Sequence, residues 1–237
     1  VPIGNPGDTG TGILMGQGAG GALINMNEAF ITLPFYPPSS LTYGIFVNAQ
    51  AQRFVNEDSY HARIAYHAIR QTGKGIYLIV SADDYEHPKF LNADIVGTGE
   101  TLEELADEVG LDPDMLRHTV EFYSQHAAKG EDPLFHKSEQ WLKPMKAPYA
   151  ALDCTPGSGV IYAYFTLGGL DTRPTGEVLS MEGRAIEGLY AAGRTSCGLP
   201  RSADGYASGM SVGDATFFGR LAGRTVATQV SRSAVSS

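Results

Sequence analysis

The pattern of apolar positions predicts two amphipathic helices in the middle of the chain. Leucine, valine and tyrosine recur at helical spacing over 102–109 and again over 116–123. Thr101 can cap the first helix while Glu104 reaches back to it, and Asp112 stands before a proline in the position of a second cap. We expect these helices to serve as scaffold.

Other apolar runs predict strands. The unbroken run at 76–80 is typical of a buried strand, the run at 44–47 predicts a short one, and 186–192 predicts a strand that ends at a glycine. A helix is predicted over 61–71. Both helices and strands are therefore predicted along the chain.

Two glycine-rich stretches each lead into a predicted helix. The first covers 4–26, and the second begins near Gly198 and opens a long helix after Tyr206. Small residues recur one or two turns apart on that second helix, so one of its sides is almost bare backbone. They are Gly209, Gly213, Gly219, Ala222 and Gly223. The last 14 or so residues are rich in Ser, Arg and Thr, and we expect a frayed tail there.

Composition narrows the class of protein. The chain has 237 residues, 43% of them apolar, which is enough for one or two globular domains. Its net charge of −9 comes without any cluster of Lys and Arg, so a nucleic-acid partner is not expected. No apolar run is long enough to span a bilayer, and the first residues lack the features of a signal peptide. We therefore expect a cytoplasmic protein without a transmembrane segment.

Cysteine content argues against a disulfide framework or a metal site. Cys154 and Cys197 are the only cysteines, and their spacing matches no zinc pattern. We expect both to be small packing residues in a reducing compartment.

The start of the long glycine-lined helix is the strongest candidate for chemistry. Backbone N–H groups at a helix start lack helical partners and attract a negatively polarised oxygen. A flavin suits such a place, because its reduced ring carries negative charge at the N1/O2 edge. A tightly packed helix in an α/β domain would explain the same glycines, and the pattern alone leaves both interpretations open.

Several motifs together resemble one family. Gly-Leu-Tyr-Ala-Ala-Gly at 188–193 and Phe-Phe-Gly-Arg-Leu-Ala-Gly at 217–223 resemble the last FAD-binding segment of the fumarate reductase and 3-ketosteroid dehydrogenase superfamily. The stretches 8–17, 44–58 and 166–172 resemble further motifs of that family in the same order. The resemblance covers nearly the whole chain.

The resemblance implies an α/β fold with FAD as cofactor. It implies a remnant of a glutathione-reductase-like FAD-binding domain, over 1–40 and 149–237, with an inserted α+β substrate-capping domain over 41–148. The family's N-terminal fingerprint Gly-x-Gly-x-x-Gly, which holds the pyrophosphate, is absent, and 16–21 lies on the wrong element to replace it. We therefore expect the N-terminal FAD-binding half to be a separate chain, giving a heteromer, or a lost fragment.

Site residues follow from the motifs that match. The resemblance implies FAD contacts by residues at the end of the 186–192 strand and at the start of the long helix: Ala192, Gly193, Arg194, Ser208, Met210, Ser211 and Val212. It implies substrate contacts by the final loop and the Thr-x-Gly-Gly step: Tyr206, Gly209, Tyr164, Gly168 and Gly169. No metal ligand is implied.

The substrate is expected to be a neutral carbonyl compound. Fumarate reductase-like members hold a dicarboxylate with a histidine before Thr-x-Gly-Gly and an arginine in the final loop. This chain has Tyr164 and Phe165 at the first place and Tyr206 at or near the second. A phenol can donate to a ketone but cannot neutralise a carboxylate. Arg201 in the same loop keeps an anionic substrate open as an alternative.

Tyr206-Ala-Ser208-Gly resembles the active-site loop of 3-ketosteroid Δ4-(5α)-dehydrogenases. In that branch the two hydroxyls work with a tyrosine of the capping domain, which by position would be Tyr60. The resemblance implies an FAD-dependent dehydrogenase that introduces or reduces a C=C bond next to a ketone of a steroid-like substrate. Hydride would pass to flavin N5, and Tyr and Ser hydroxyls would remove a proton. A fumarate-reductase-like enoate reductase and a non-catalytic partner subunit are the alternatives.

Overall fold

The structure is a computed structural model that describes residues 1–34, 38–89 and 93–235. It divides into two compact units. Unit 1 contains Ile31–Ala163 together with Val1, and unit 2 contains Pro2–Phe30 and Tyr164–Ser237. The predicted domain ranges of 1–40, 41–148 and 149–237 stay predictions.

The described residues form both helices and strands. The helices are α1 (Thr11–Gly18), α2 (His61–Ala68), α3 (Leu102–Val109), α4 (Pro113–Ala127) and α5 (Met210–Val235). The strands are β1 (Leu23–Ile24), β2 (Ala29–Ile31), β3 (Ile45–Val47), β4 (Tyr77–Ser81), β5 (Ile95–Gly99), β6 (Tyr149–Asp153), β7 (Tyr164–Thr166), β8 (Gly169–Leu170), β9 (Glu177–Leu179) and β10 (Ala185–Tyr190). The predicted mixture of helix and strand is confirmed.

Unit 1 is built on a four-stranded antiparallel sheet with the order β3-β4-β6-β5. Successive side chains of a strand point to opposite faces, so each strand supplies two cores. On β4, Leu78 packs into a core with Ile64 of α2, whereas Ile79 packs into a second core with Leu105 of α3 and Leu116 of α4. The sheet is therefore covered by helices on both faces.

Both predicted helix caps are confirmed. The Thr101 hydroxyl accepts the Glu104 N–H at 3.2 Å, and the Glu104 carboxylate accepts the Thr101 N–H at 3.4 Å. The Asp112 carboxylate accepts the Met115 N–H at 2.9 Å. These bonds satisfy N–H groups that the first helical turn cannot pair internally.

Four charged side chains form a buried charge cluster in unit 1: Arg53, Glu57, Asp132 and Lys137. The Arg53 guanidinium donates to Glu57 at 2.6 and 2.9 Å and to Asp132 at 2.8 Å. The Lys137 ammonium lies 3.3 Å from Glu57, and none of the four side chains is more than 4% exposed. Two cations and two carboxylates thus compensate each other inside the protein.

Aromatic rings complete this cluster. The Arg53 guanidinium lies 5.0 Å from the centre of the Tyr123 ring and 4.9 Å from that of Phe135. Burial, the largest single effect, raises the pKa of Asp132, but the hydrogen bonds and charge of Arg53, together with two backbone N–H groups, leave that pKa lowered. The cluster therefore holds Asp132 as a carboxylate and fixes the loop that carries it.

Unit 2 is built from short strand pairs and the long helix α5. β1 pairs antiparallel with β8, and β9 pairs antiparallel with β10. Gly176 approaches α5 so closely that a side-chain carbon there would lie 2.5 Å from Ala222. The glutathione-reductase-like domain with an inserted cap stays a prediction for the complete protein.

The predicted frayed tail was wrong, because α5 continues to Val235. No glycine or proline follows Gly223 to stop the helix, and the remaining residues tolerate helical geometry. The Tyr190 hydroxyl also donates to Gln229, which ties the helix to β10.

Each unit contains one buried cysteine. Cys154 lies in a core of unit 1, and Cys197 is 4% exposed in unit 2. Burial raises the pKa of both thiols. Both cysteines therefore pack as small apolar residues.

Among the described residues, no helix has the length and apolar character needed to cross a bilayer. In the same residues, no group of three or more His, Cys, Asp or Glu side chains is arranged to hold a metal ion.

Candidate functional site

The start of α5 presents bare backbone to the surroundings. Gly209 has a φ of 83°, a conformation that favours glycine, and a side-chain carbon at Gly209 or Gly213 would meet nothing within 4 Å. The hydrogen bond from the Gly213 N–H to the Gly209 carbonyl, at 2.9 Å, begins the helical pattern of α5. The N–H groups of Ser211 and Val212 come before it in the chain. Val212 is 69% exposed. This helix start can therefore receive an electron-rich group.

Tyr206 is held firmly beside that helix start. Its side chain is only 8% exposed, and its hydroxyl oxygen lies 2.9 Å from the Ser211 hydroxyl. The ring centre lies 4.5 Å from that of Phe30 and 5.8 Å from that of Phe165, both in edge-on geometry. Phe30 and Phe165 are themselves stacked at 4.5 Å. The rings of Phe30 and Phe165 and the contact with Ser211 thus help to hold Tyr206 in place.

An open cavity of about 370 Å³, which we call the site cavity, lies in the same unit. Residues from β7, the end of β10, the glycine-rich loop and α5 line it: Phe165, Thr166, Leu167, Gly168, Gly193, Arg194, Ser196, Gly198, Pro200, Ser211 and Asp214. The site cavity brings together three predicted FAD residues, Gly193, Arg194 and Ser211, with the predicted substrate residue Gly168.

Arg194 is the one cation among the lining residues of the site cavity. Its guanidinium Nε lies 3.3 Å from the carboxylate of Asp8, and the guanidinium lies 5.1 Å from the centre of the Phe165 ring. Its charge is therefore compensated by Asp8, while its planar face covers an aromatic ring.

Asp214 holds the glycine-rich loop against α5. Its buried carboxylate accepts the Leu199 N–H at 2.8 Å. A side-chain carbon at Gly198 would lie 2.3 Å from the same carboxylate, so only glycine fits there. Neither Leu199 nor Asp214 lies in a motif that carries the resemblance, so the motifs do not predict this contact.

The predicted pair Gly168 and Gly169 lies where backbone segments nearly touch. A side-chain carbon at Gly168 would lie 2.5 Å from the Asn25 carbonyl oxygen, and one at Gly169 would lie 2.7 Å from the Thr195 carbonyl oxygen. Both neighbours are backbone and cannot rotate away. Because Gly168 has no side chain, its backbone forms part of the wall of the site cavity.

Gly168→Ala is expected to destabilise unit 2 by about 1–3 kcal/mol, because the methyl group overlaps the Asn25 backbone. The urea midpoint of the chain, followed by far-ultraviolet circular dichroism, measures the effect. Gly219→Ala is the matched control, since its methyl group meets open space within a helix and should be neutral or stabilising. Equal midpoints for the two variants would contradict the close approach.

The other predicted residues lie around this centre. Tyr164 and Phe165 are neighbours on β7 and point to opposite faces, so Phe165 lines the site cavity and Tyr164 does not. Ala192 follows β10, and Gly169 lies on β8. The remaining FAD and substrate residues are at the start of α5 or directly before it: Ser208, Gly209, Met210 and Val212. Their roles, and that of Tyr164, stay predictions.

Tyr60 belongs to unit 1, where it directly precedes α2. Its ring centre lies 4.4 Å from that of His61, whose pKa is lowered by burial. The catalytic role of Tyr60 therefore stays a prediction that rests on the resemblance.

A second open cavity of about 630 Å³ adjoins Asp214. Arg173 and Arg201 are among its lining residues, and neither lines the site cavity. Arg201 also supplies the carbonyl oxygen that accepts the Asn25 side-chain amide at 2.7 Å. Arg201, which left an anionic substrate as an alternative, thus lines this neighbouring cavity and not the site cavity.

The family model described as FAD binding domain matches residues 2–210. The chain belongs to this family. Its cofactor is FAD.

Known relatives place the chain in the branch that holds fumarate reductases and 3-ketosteroid dehydrogenases. The NADH:acrylate oxidoreductase of Vibrio harveyi is 30% identical over 95% of this chain and 24% of its own length. The cytochrome fumarate reductase of Shewanella frigidimarina is 29% identical over 96% of this chain and 41% of its own length. The chain spans less than half the length of these relatives.

One solved structure is more similar still in sequence. The crystal structure of 3-ketosteroid Δ4-(5α)-dehydrogenase from Rhodococcus jostii RHA1, in complex with 4-androstene-3,17-dione, is 39% identical to this chain. The TM-score is 0.80, over 90% of this chain and 44% of that one. The predicted resemblance is confirmed.

The start of α5 fits the electron-rich edge of a flavin. The N–H groups of Ser211 and Val212 lie at the positive end of a 26-residue helix. Gly209 and Gly213 leave space beside them in which a flat ring can approach the backbone. These residues would hold the pyrimidine edge of FAD.

Proposed function

We propose that the complete protein containing this chain is an FAD-dependent dehydrogenase of steroid-like ketones, which introduces or reduces a C=C bond next to the ketone. One observation carries the proposal: the buried phenol of Tyr206 contacts Ser211, which lines the site cavity at the start of α5, and the one cation of that lining is compensated by Asp8. Such a site suits a neutral carbonyl oxygen better than a carboxylate. The likeness to a 3-ketosteroid dehydrogenase supports the same class of substrate.

FAD, held at the start of α5, would supply the acceptor for a hydride from the substrate. In the proposed reaction the Tyr206 hydroxyl and the Gly209 N–H donate to the ketone oxygen and make the neighbouring C–H more acidic. Ser208 accepts the proton released from one carbon, while the hydride leaves the adjacent carbon, so that a C=C bond remains. Tyr60 is proposed as a further hydroxyl in the proton transfer, on the basis of the resemblance alone.

We propose that another part of the complete protein, in a separate chain or in the same one, supplies the nucleotide-binding half. The fingerprint that holds the pyrophosphate is absent from the 237 residues, and the relatives are more than twice as long. Unit 2 also exposes large apolar side chains that a further half-domain would cover: Leu14, Met15, Met181, Leu199, Val212 and Phe217. Residues 41–148 are proposed to form the substrate-capping domain.

A comparison of substrates tests the proposal. The complete FAD-loaded protein is expected to oxidise a 5α-saturated 3-ketosteroid to its Δ4 product, 4-androstene-3,17-dione, with an artificial electron acceptor. It is expected to reduce fumarate and acrylate at least 100-fold more slowly with a reduced electron donor, because the site cavity offers no uncompensated cation for a carboxylate. Faster turnover of fumarate or acrylate than of the steroid would overturn the proposal.

Reduction of a small enoate is the second candidate. It is favoured by the acrylate and fumarate reductases among the relatives and by the two arginines of the neighbouring cavity. If this candidate is correct, Arg201→Met should abolish enoate turnover while FAD content is unchanged. Absence of any turnover in the FAD-loaded protein would instead favour a non-catalytic subunit.

A further inference from the structure

We propose that Ser211 is the positioning residue of the Tyr206 phenol, an inference that rests on the proposed function. The motif that carries the resemblance draws attention to Ser208, which stands two residues after Tyr206. The structure instead brings the Tyr206 hydroxyl within 2.9 Å of the Ser211 hydroxyl. Ser208 is exposed, whereas Ser211 is half-buried and lines the site cavity.

The position of Ser211 on α5 limits where its hydroxyl can go. Ser211 is the second residue of α5, one turn before Asp214, whose carboxylate anchors Leu199 of the glycine-rich loop. The loop that carries Tyr206 is therefore fastened to the first turn of α5 at two places. The ring of Tyr206 is further held by Phe30 and Phe165. With the ring held in this way, the contact with Ser211 bears on the direction of the phenol hydrogen.

Ser211 can set the direction of the phenol hydrogen. A phenol has one hydrogen to donate and an oxygen that can accept, and a serine hydroxyl can do both. When Ser211 donates to the Tyr206 oxygen, the phenol hydrogen is left for the substrate ketone. The same bond stabilises negative charge that develops on the phenol oxygen as the ketone gains electron density. Ser211 thus acts through Tyr206 and does not touch the reacting atoms.

A pair of variants of equal shape tests this role in the complete FAD-loaded protein. Ser211→Thr keeps the hydroxyl, and Ser211→Val replaces it with a methyl group. In the steroid assay, Ser211→Val is expected to lower kcat about 10-fold, the value of one hydrogen bond, with KM changed less than about 3-fold. Ser211→Thr is expected to stay within about 3-fold of the parent kcat. Flavin absorbance per chain should be equal in both variants.

A double-mutant cycle with Tyr206→Phe decides between positioning and a direct contact with FAD. If Ser211 acts through the phenol, Ser211→Val has no further effect on kcat once Tyr206 is phenylalanine. An equal loss in both backgrounds, lowered flavin absorbance in Ser211→Val alone, or equal activity of the Thr and Val variants would each overturn the inference. Full activity of Tyr206→Phe would overturn the proposed function instead, so the two failures are distinguishable.

Discussion

Tyr206→Phe is expected to lower kcat for a 3-ketosteroid by about 10²–10³-fold, the loss typical of one donor to a developing oxyanion. The variant keeps the ring that packs on Phe30 and Phe165 and removes only the hydroxyl that contacts Ser211. Because the ketone oxygen gains charge in the transition state, KM should change much less than kcat. Steady-state kinetics of the complete FAD-loaded protein measure both constants.

Tyr190→Phe is the matched control for Tyr206→Phe. The Tyr190 hydroxyl donates to Gln229, which lies about 28 Å along α5 from Met210. Its removal should leave kcat within about 2-fold of the parent value, since the hydroxyl bonds Gln229 and neither Tyr190 nor Gln229 lines the site cavity. A similar loss in both tyrosine variants would show that the effect of Tyr206→Phe is not specific to the site.

Arg53→Met is expected to lower the free energy of unfolding of unit 1 by about 3–5 kcal/mol. The substitution keeps most of the side-chain volume but leaves Glu57 and Asp132 buried without their main partner. Trp141 is the single tryptophan of the chain and lies in unit 1, so urea unfolding followed by tryptophan fluorescence reports on this unit.

Arg117→Met provides the control for the buried charge cluster. Arg117 pairs with Asp114 at 2.5 Å, but their side chains are 47% and 85% exposed. An exposed pair of this kind contributes at most about 1 kcal/mol, so the urea midpoint should hardly move. If both arginine variants shift the urea midpoint equally, burial does not explain the contribution of the cluster to stability.

The same cluster predicts how stability depends on pH. The folded-state pKa of Asp132 is lowered, because the hydrogen bonds and charge of Arg53 and two backbone N–H groups together exceed the opposing effect of burial, which is the largest single one. Its contribution is fully present above the ordinary pKa of an aspartate and is lost as pH falls through the lowered folded-state pKa. The difference in unfolding free energy between parent and Asp132→Asn should therefore shrink on acidification below the ordinary pKa.

Local sequence signals predicted the scaffold well. Thr101, Glu104 and Asp112 form their caps through contacts with residues at most three positions away, so the sequence nearby contains all that is needed. The strand predicted at 76–80 is β4, displaced by one residue. The prediction of a frayed tail was wrong because the polar residues there continue α5, and no glycine or proline after Gly223 ends the helix.

The contacts of the candidate site were less predictable, because they join distant parts of the chain. Phe30, Phe165 and Tyr206 meet through the fold, and no spacing in the sequence relates them. The motif favoured Ser208 near Tyr206, whereas the turn of the chain into α5 brings Ser211 to the phenol. The motifs thus indicated the segment of the site and its cofactor. They did not show which serine hydroxyl contacts the Tyr206 phenol, because that contact depends on the fold.

The distribution of the two cysteines gives each unit its own chemical reporter of opening. A thiol reagent can react with Cys154 only when the core of unit 1 is breached, and with Cys197 only when its surroundings in unit 2 open. The order in which the two thiols become labelled would then show which unit opens more readily. One sample of the protein without any substitution is enough for this comparison.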